Sequence, residues 1–358
     1  MAPQKNPLQG NKKLFLLLTF GLIAFLVYFV LFIDLTSFIE TISQANIILY
    51  VISFAVYPIG VFFSSMAWHS LLNALTVKAS VKNAYLFTWV GLFFDAAIPQ
   101  LGLSGDVAKT YLFSKSSSED AGKIGASVIG QKIIVMSLTV VTFSIGLFLV
   151  LFNRTLEPLA TFAIILFLIL SGVSLFLIYY LSIKPKATHV LLQFVIRVGL
   201  FFRKNWDPTD FKQKTIKTID NFHLSINELK ATPSVLIMPT IYSILSWIFD
   251  IGVMFLVFTA LGYPIPFDSV LIVYTISGVL QAVGLGIFGV NEIIMISTFH
   301  ALGLPNGLSV SVTLLSRAVT LWFRMIVSYG AFQWTSIKIA RQKQQISTTL
   351  SKRGCPAN

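Results

Sequence analysis

The sequence predicts an all-α, polytopic integral membrane protein. Of its 358 residues, 56% are hydrophobic and 11% are charged, and the mean hydropathy is +0.82. A water-soluble domain carries about 25% charged and about 45–50% apolar residues. The apolar residues form continuous runs long enough to cross a bilayer, whereas a membrane β-barrel would alternate. Helices are therefore needed to satisfy the backbone in lipid.

The excess of basic over acidic residues indicates which classes of partner the protein binds. The 26 Lys and Arg residues exceed the 14 Asp and Glu residues, for a net charge of +12. In a membrane protein such an excess sets topology and contacts anionic headgroups, so we expect lipids with anionic headgroups as partners and no nucleic acid. The single cysteine, Cys355, and four scattered histidines predict no metal site and no cofactor.

The apolar runs predict about eight full spans in two membrane halves. Residues 1–46 form a tail and first helix, 47–182 the first half, 183–232 a basic amphipathic linker, 233–334 the second half and 335–358 a basic polar tail. The run 293–302 is too short to cross alone and predicts a re-entrant or half helix. The eight predicted spans are 14–33, 47–75, 84–99, 125–152, 158–181, 233–261, 269–283 and 308–334.

The two halves are related by four landmarks in the same order. The separations are 27 residues from Leu75 to Gly102 and 27 from Gly105 to Lys132. The corresponding separations in the second half are 25 residues from 261 to 286 and 28 from 289 to 317. Internal repeats are how many transporters build a site at the middle of the membrane. With four spans between equivalent segments, the repeats are predicted to be parallel.

Helix breaks near 99–110 and 284–302 are the candidate sites. In the first, Gly105 precedes Asp106 and Lys109, and glycines let the chain turn and expose backbone N–H groups. A helix that starts there presents its positive end to an anion such as a phosphate. The alternative is an ordinary glycine-rich loop at the membrane surface.

The second break contains Gly286, Gly289 and Asn291 and leads into Glu292 without a polar spacer. Glu292 starts a short apolar helix, where a carboxylate can cap free N–H groups or bind a cation. Both roles remain open at this stage.

Charges inside predicted spans mark a functional interior, because burying them in a membrane is costly. Lys132 and Arg317 occupy equivalent positions in the proposed repeats, and Asp250 and Arg324 also lie in spans. A buried arginine can hold a phosphate bidentately or pair with a carboxylate, Glu292 or Asp106, as an internal strut. The two interpretations are compatible if the ion pair opens for substrate.

These motifs resemble the transmembrane region of lysylphosphatidylglycerol synthases. Residues 104–112, Ser-Gly-Asp-Val-Ala-Lys-Thr-Tyr-Leu, resemble that family's Gly-Gly-Asp-x-x-Arg-x-Tyr segment, and 286–292 with the later Arg317 resemble its second glycine segment. The likeness extends from 47 to 334. Lys109 stands where the family usually has Arg, and Gln131-Lys132 where it has Glu-Arg, so the positive charge persists without bidentate geometry.

The resemblance implies a flippase-like lipid translocase without the family's soluble aminoacyltransferase domain, in a prokaryotic cytoplasmic membrane. Its lipid would be anionic, for example an aminoacylated phospholipid or a lipid-linked sugar. We expect no enzyme, because no catalytic motif is present. The alternatives are a membrane enzyme using Asp106 and Glu292 as acid and base, or a scaffold for a synthase or glycosyltransferase; homo-oligomerisation remains open. The predicted substrate-binding residues are Gly105, Asp106, Lys109, Lys132, Gly286, Gly289, Asn291, Glu292 and Arg317.

Overall fold

The computed structural model describes residues 35–98, 103–153, 157–202, 208–264, 266–282 and 289–352. These ranges contain helices and no β-strand, as the sequence predicts. The predicted first span, 14–33, lies outside the described residues. The helices are α1 (Leu35–Ser43), α2 (Ile47–Ala74), α3 (Val81–Ala97), α4 (Ser104–Ser117), α5 (Ala121–Asn153), α6 (Pro158–Ile183), α7 (Pro185–Phe202), α8 (Thr209–Ala231), α9 (Ile237–Ala260), α10 (Phe267–Ala282), α11 (Val290–Ala301), α12 (Asn306–Arg317) and α13 (Arg324–Lys352).

Long apolar helices make this a multi-pass membrane protein. Among the described residues, five helical segments are long and apolar enough to cross a bilayer. The 28 residues of α2 extend about 42 Å at 1.5 Å per residue, which exceeds the ~30 Å hydrocarbon core. The five segments are Ile47–Ala74, Ala121–Asn153, Thr161–Ile183, Pro233–Ala260 and Asn306–Lys338.

Two of the predicted spans are half-length helices. Helices α3 and α4 have 17 and 14 residues, or about 25 and 21 Å, and they pack against each other. Helices α10 and α11 have 16 and 12 residues and pack in the same way. Each pair therefore forms a helical hairpin around one of the two predicted breaks.

Each half repeats the order long helix, two short helices, long helix. Phe113 and Phe299 are both the tenth residue of their short helices, α4 and α11. Each ring packs edge-on against an aromatic ring of the preceding long helix. The ring centroids of Phe113 and Trp68 are 5.3 Å apart, and those of Phe299 and Phe258 are 5.7 Å apart. Equivalent positions thus make equivalent contacts.

The repeats are inverted, so the prediction of parallel repeats is wrong. The equivalent long helices α2 and α9 run antiparallel, since the Asn46 N–H at the start of α2 donates to the Ala260 carbonyl at the end of α9 over 2.6 Å. Farther along, Phe63 stacks on Phe249 with ring centroids 5.4 Å apart. The sequence count treated 84–99, which lies between these two equivalent helices, as a full crossing. A hairpin helix does not carry the chain across, which changes the parity between the halves.

The two halves exchange contacts reciprocally. Helix α5 of the first half packs on α10 of the second, and α13 of the second packs on α3 of the first. This is the pattern of a pseudo-two-fold axis where α2 and α9 cross. The predicted linker 183–232 folds as α7 and α8, and α8 packs along α5. Val190, Phe194 and Arg197 are exposed on α7, as in a helix at a membrane interface.

Candidate functional site

A cavity of about 430 Å³ lies between the two halves. This volume falls within the ~300–1,000 Å³ range of small-molecule pockets. Both hairpins and all four long helices of the repeats contribute to its wall. Charges at such a depth in membrane helices are costly and typical of a functional interior. Its charged lining residues are Asp95, Asp106, Lys109, Lys132, Asp250, Arg317 and Arg324.

One ion pair belongs to the first half. Lys132 Nζ lies 2.6 Å from Asp106 Oδ2, and the two side chains are 16% and 24% exposed. Asp106 is the third residue of α4, and Lys132 is the twelfth residue of α5. The pair faces the cavity, so a ligand there can reach both groups.

The second half contains the equivalent ion pair in a more buried setting. Arg317 Nε donates to Glu292 Oε1 over 2.5 Å. Glu292 is the third residue of α11 and Arg317 the twelfth of α12, which matches the first pair. Glu292 is fully buried, and its Oε2 accepts from the Gly289 N–H over 2.6 Å. Glu292 therefore caps its helix and also holds Arg317.

Gly289 supplies the turn that makes this cap. Its φ of +94° lies in the left-handed region, where glycine has no steric cost. Asn291 is also fully buried, and its Nδ2 donates to Ser277 Oγ over 2.9 Å. Its Oδ1 has no hydrogen-bond partner among the described residues. Gly286 lies outside the described residues.

The start of α4 is already capped by a carboxylate from another helix. Asp95 Oδ1, on α3, accepts from the Gly105 N–H over 2.7 Å and from Ser104 Oγ over 3.2 Å. In this conformation the Gly105 N–H therefore already has an acceptor, whereas the sequence analysis predicted that it would be open to a phosphate. A Cβ on Gly105 would clash with the Gly91 carbonyl oxygen and lie 2.5 Å from Asp95 Oδ2. Gly105 thus lets two helix backbones approach closely.

Lys109 is a buried cation in the same wall. Its Nζ lies 4.1 Å from the centre of the Trp68 ring and 3.4 Å from Gln131 Oε1. The cation–π contact and the amide together replace part of the water that the ammonium would lose on burial.

Two residues that line the cavity were not among the predicted substrate-binding residues, and each has a polar atom without a described partner. Arg324 Nε and Ser316 Oγ are buried and have no hydrogen-bond partner among the described residues. Arg324 directly follows a π-helical turn, Ala318–Phe323, that separates it from Arg317. Such turns occur frequently at functional sites. The sequence placed Arg324 in a span, but its spacing from Arg317 carries no sign of the π-turn.

Comparisons with known proteins agree with the membrane fold. The profile of the family described as "Lysylphosphatidylglycerol synthase TM region" matches residues 16–328. A UPF0104 membrane protein from Methanocaldococcus jannaschii is 26% identical over 329 residues, covering 89% of this chain and 94% of the relative. Another from Pyrococcus horikoshii is 27% identical over 300 residues, covering 79% and 86% respectively. No solved structure shows a significant match.

Proposed function

The chain belongs to the lysylphosphatidylglycerol synthase transmembrane-region family, and on that premise we propose that it is a lipid translocase. It binds the phosphate of a lipid headgroup in the cavity between its halves and carries the headgroup across the membrane. An aminoacylated phospholipid and a lipid-linked sugar phosphate both present this group. The protein performs no covalent chemistry on the lipid.

The guanidinium of Arg324, which lines the cavity, carries this proposal. Its Nε is a buried donor without a described partner, in a cavity that Arg317 also lines. A buried donor without an acceptor costs about 1–3 kcal/mol, which a bound phosphate oxygen would recover. Planar guanidinium groups match phosphate geometry bidentately. Ser316 Oγ adds a second unpaired group in the same wall.

In the proposed mechanism, the headgroup passes between the two ion pairs of the halves. Lys132 with Asp106 and Arg317 with Glu292 occupy equivalent places in the two halves. Inverted repeats around a central site are the usual architecture for exposing one site to each side of a membrane in turn. A headgroup bound at Arg324 can thus meet a similar ion pair in either direction.

Binding of a fluorescent phosphatidylglycerol to the purified protein in detergent tests the headgroup site. Arg324→Gln should weaken binding by about tenfold, the value of one lost charge-assisted contact at 1.4 kcal/mol. Arg197→Gln is the matched control, because Arg197 is exposed on α7 and does not line the cavity. Equal losses in both variants would show that surface charge, and not the cavity, binds the lipid.

A further inference from the structure

Asp250 is a carboxylate of the cavity wall that the headgroup site does not use. It lies on α9 and lines the cavity. The other acidic groups around the cavity are held by named partners: Asp95 caps α4, Asp106 pairs with Lys132 and Glu292 pairs with Arg317. Within the described part of the chain, Asp250 forms no hydrogen bond and no ion pair of this kind. Asp250 is therefore a carboxylate of the cavity wall without a described hydrogen-bond partner.

Asp250 lies where the two halves cross. A Cβ built on Gly60 of α2 would lie 2.7 Å from Asp250 Oδ1, so the carboxylate contacts the backbone of the opposite half. Helices α2 and α9 are the equivalent long helices around the pseudo-two-fold axis. Because this carboxylate contacts the opposite half, a rotation of one half against the other would change its surroundings directly. A charged group far from the crossing of α2 and α9 would be affected less.

The polar and charged groups that share the cavity wall with Asp250 come from several elements. Tyr57 of α2 and Tyr274 of α10 present hydroxyls, and Arg324 of α13 presents a positive charge. The other charged residues of this wall are Asp95, Asp106, Lys109, Lys132 and Arg317. Arg324 lines the same wall as Asp250, and it is also the proposed phosphate ligand.

We propose that Asp250 takes up one proton when an anionic headgroup binds, so that lipid movement is coupled to proton movement. This inference rests on the proposed function. One cation cannot fully compensate both a phosphate and a carboxylate beside it, because like charges in a site of low dielectric strongly disfavour double ionisation. The proton comes from water, converts the carboxylate to a carboxylic acid, and returns to water when the headgroup leaves.

A proton fits this place better than a metal cation. Arg324 would repel a metal ion, and no group of three His, Cys, Asp or Glu side chains in the described ranges could hold one. Hard cations such as Ca²⁺ need six to eight oxygen ligands, typically several of them carboxylates.

Proton uptake can be measured directly on the purified protein in detergent. The protein, in weak buffer at pH 7.5 with a pH indicator, is titrated with glycerophosphoglycerol, a phosphodiester that does not itself titrate near neutral pH. Wild type should take up close to one proton per bound molecule. Asp250→Asn should take up none and should bind the probe about tenfold more tightly, because the competing negative charge is gone. Asp220→Asn, which removes an exposed carboxylate on α8, should behave as wild type.

The outcomes separate this inference from the proposed function. Wild-type binding without proton uptake would overturn the coupling and leave the headgroup site intact. Unchanged uptake in Asp250→Asn would assign the proton to another group and would also overturn it. Binding of neither glycerophosphoglycerol nor a phosphatidylglycerol by a protein that elutes as a single species would refute the proposed function, and the coupling with it.

Discussion

Substituting Gly105 by alanine tests the packing of the first hairpin. The new methyl group would clash with the Gly91 carbonyl oxygen and lie 2.5 Å from Asp95 Oδ2. The first neighbour is backbone, so it cannot swing aside. Overpacking of this kind costs about 1–3 kcal/mol, and loss of the Asp95 cap costs about 0.5–2 kcal/mol. We expect a total loss of about 2–4 kcal/mol, against a gain of at most ~1 kcal/mol from helix propensity.

Thermal unfolding in detergent measures this loss. At about 2–4 °C per kcal/mol, Gly105→Ala should lower the midpoint by roughly 4–16 °C. Gly172→Ala is the matched control, since Gly172 lies within α6 and a Cβ there would meet nothing within 4 Å. The control should unfold at or slightly above the wild-type temperature. Equal midpoints for the two variants would refute the close approach of α3 and α4.

Three further outcomes are expected. Arg317→Ala leaves the buried Glu292 carboxylate unpaired and should cost about 3–5 kcal/mol in thermal unfolding, whereas Glu292→Gln,Arg317→Met should recover much of that loss. Lys132→Met breaks a partly exposed pair with Asp106 and should cost only about 1 kcal/mol; an equal loss at both sites would contradict the difference in burial. Burial lowers the pKa of His223, so the unfolded chain binds more protons and stability should fall as pH drops below about 6.5. His223→Gln should flatten that slope in unfolding curves between pH 7 and 5, and an unchanged slope would assign it elsewhere.

Composition and periodicity were sufficient for the membrane class and for the helix breaks. A continuous apolar run has one stable solution in lipid, and Gly289 with Glu292 signals a helix start through local chemistry. The equivalence of Lys132 and Arg317 was also visible, because each follows its break at nearly the same distance.

The sequence alone could not predict which distant segments contact each other or in which direction the short helices run. A half-length apolar helix and a full span have similar composition, so the parity of crossings, and with it the inversion of the repeats, depended on tertiary packing. Asp95 of α3 caps the start of α4 by accepting from the Gly105 N–H. The two residues are ten positions apart in the sequence, and no local capping motif has that spacing. The π-turn before Arg324 contains neither glycine nor proline, so none of its residues marks it in the sequence.

Leaflet exchange of a fluorescent phosphatidylglycerol in reconstituted vesicles tests the central claim most directly. The fraction of probe that dithionite bleaches reports which leaflet it occupies. The account predicts faster exchange with wild type than in empty vesicles, a large loss with Arg324→Gln, and exchange at the wild-type rate with Arg197→Gln. Wild-type exchange no faster than in empty vesicles, for this lipid and for an aminoacylated or sugar-linked one, would contradict translocation through the cavity.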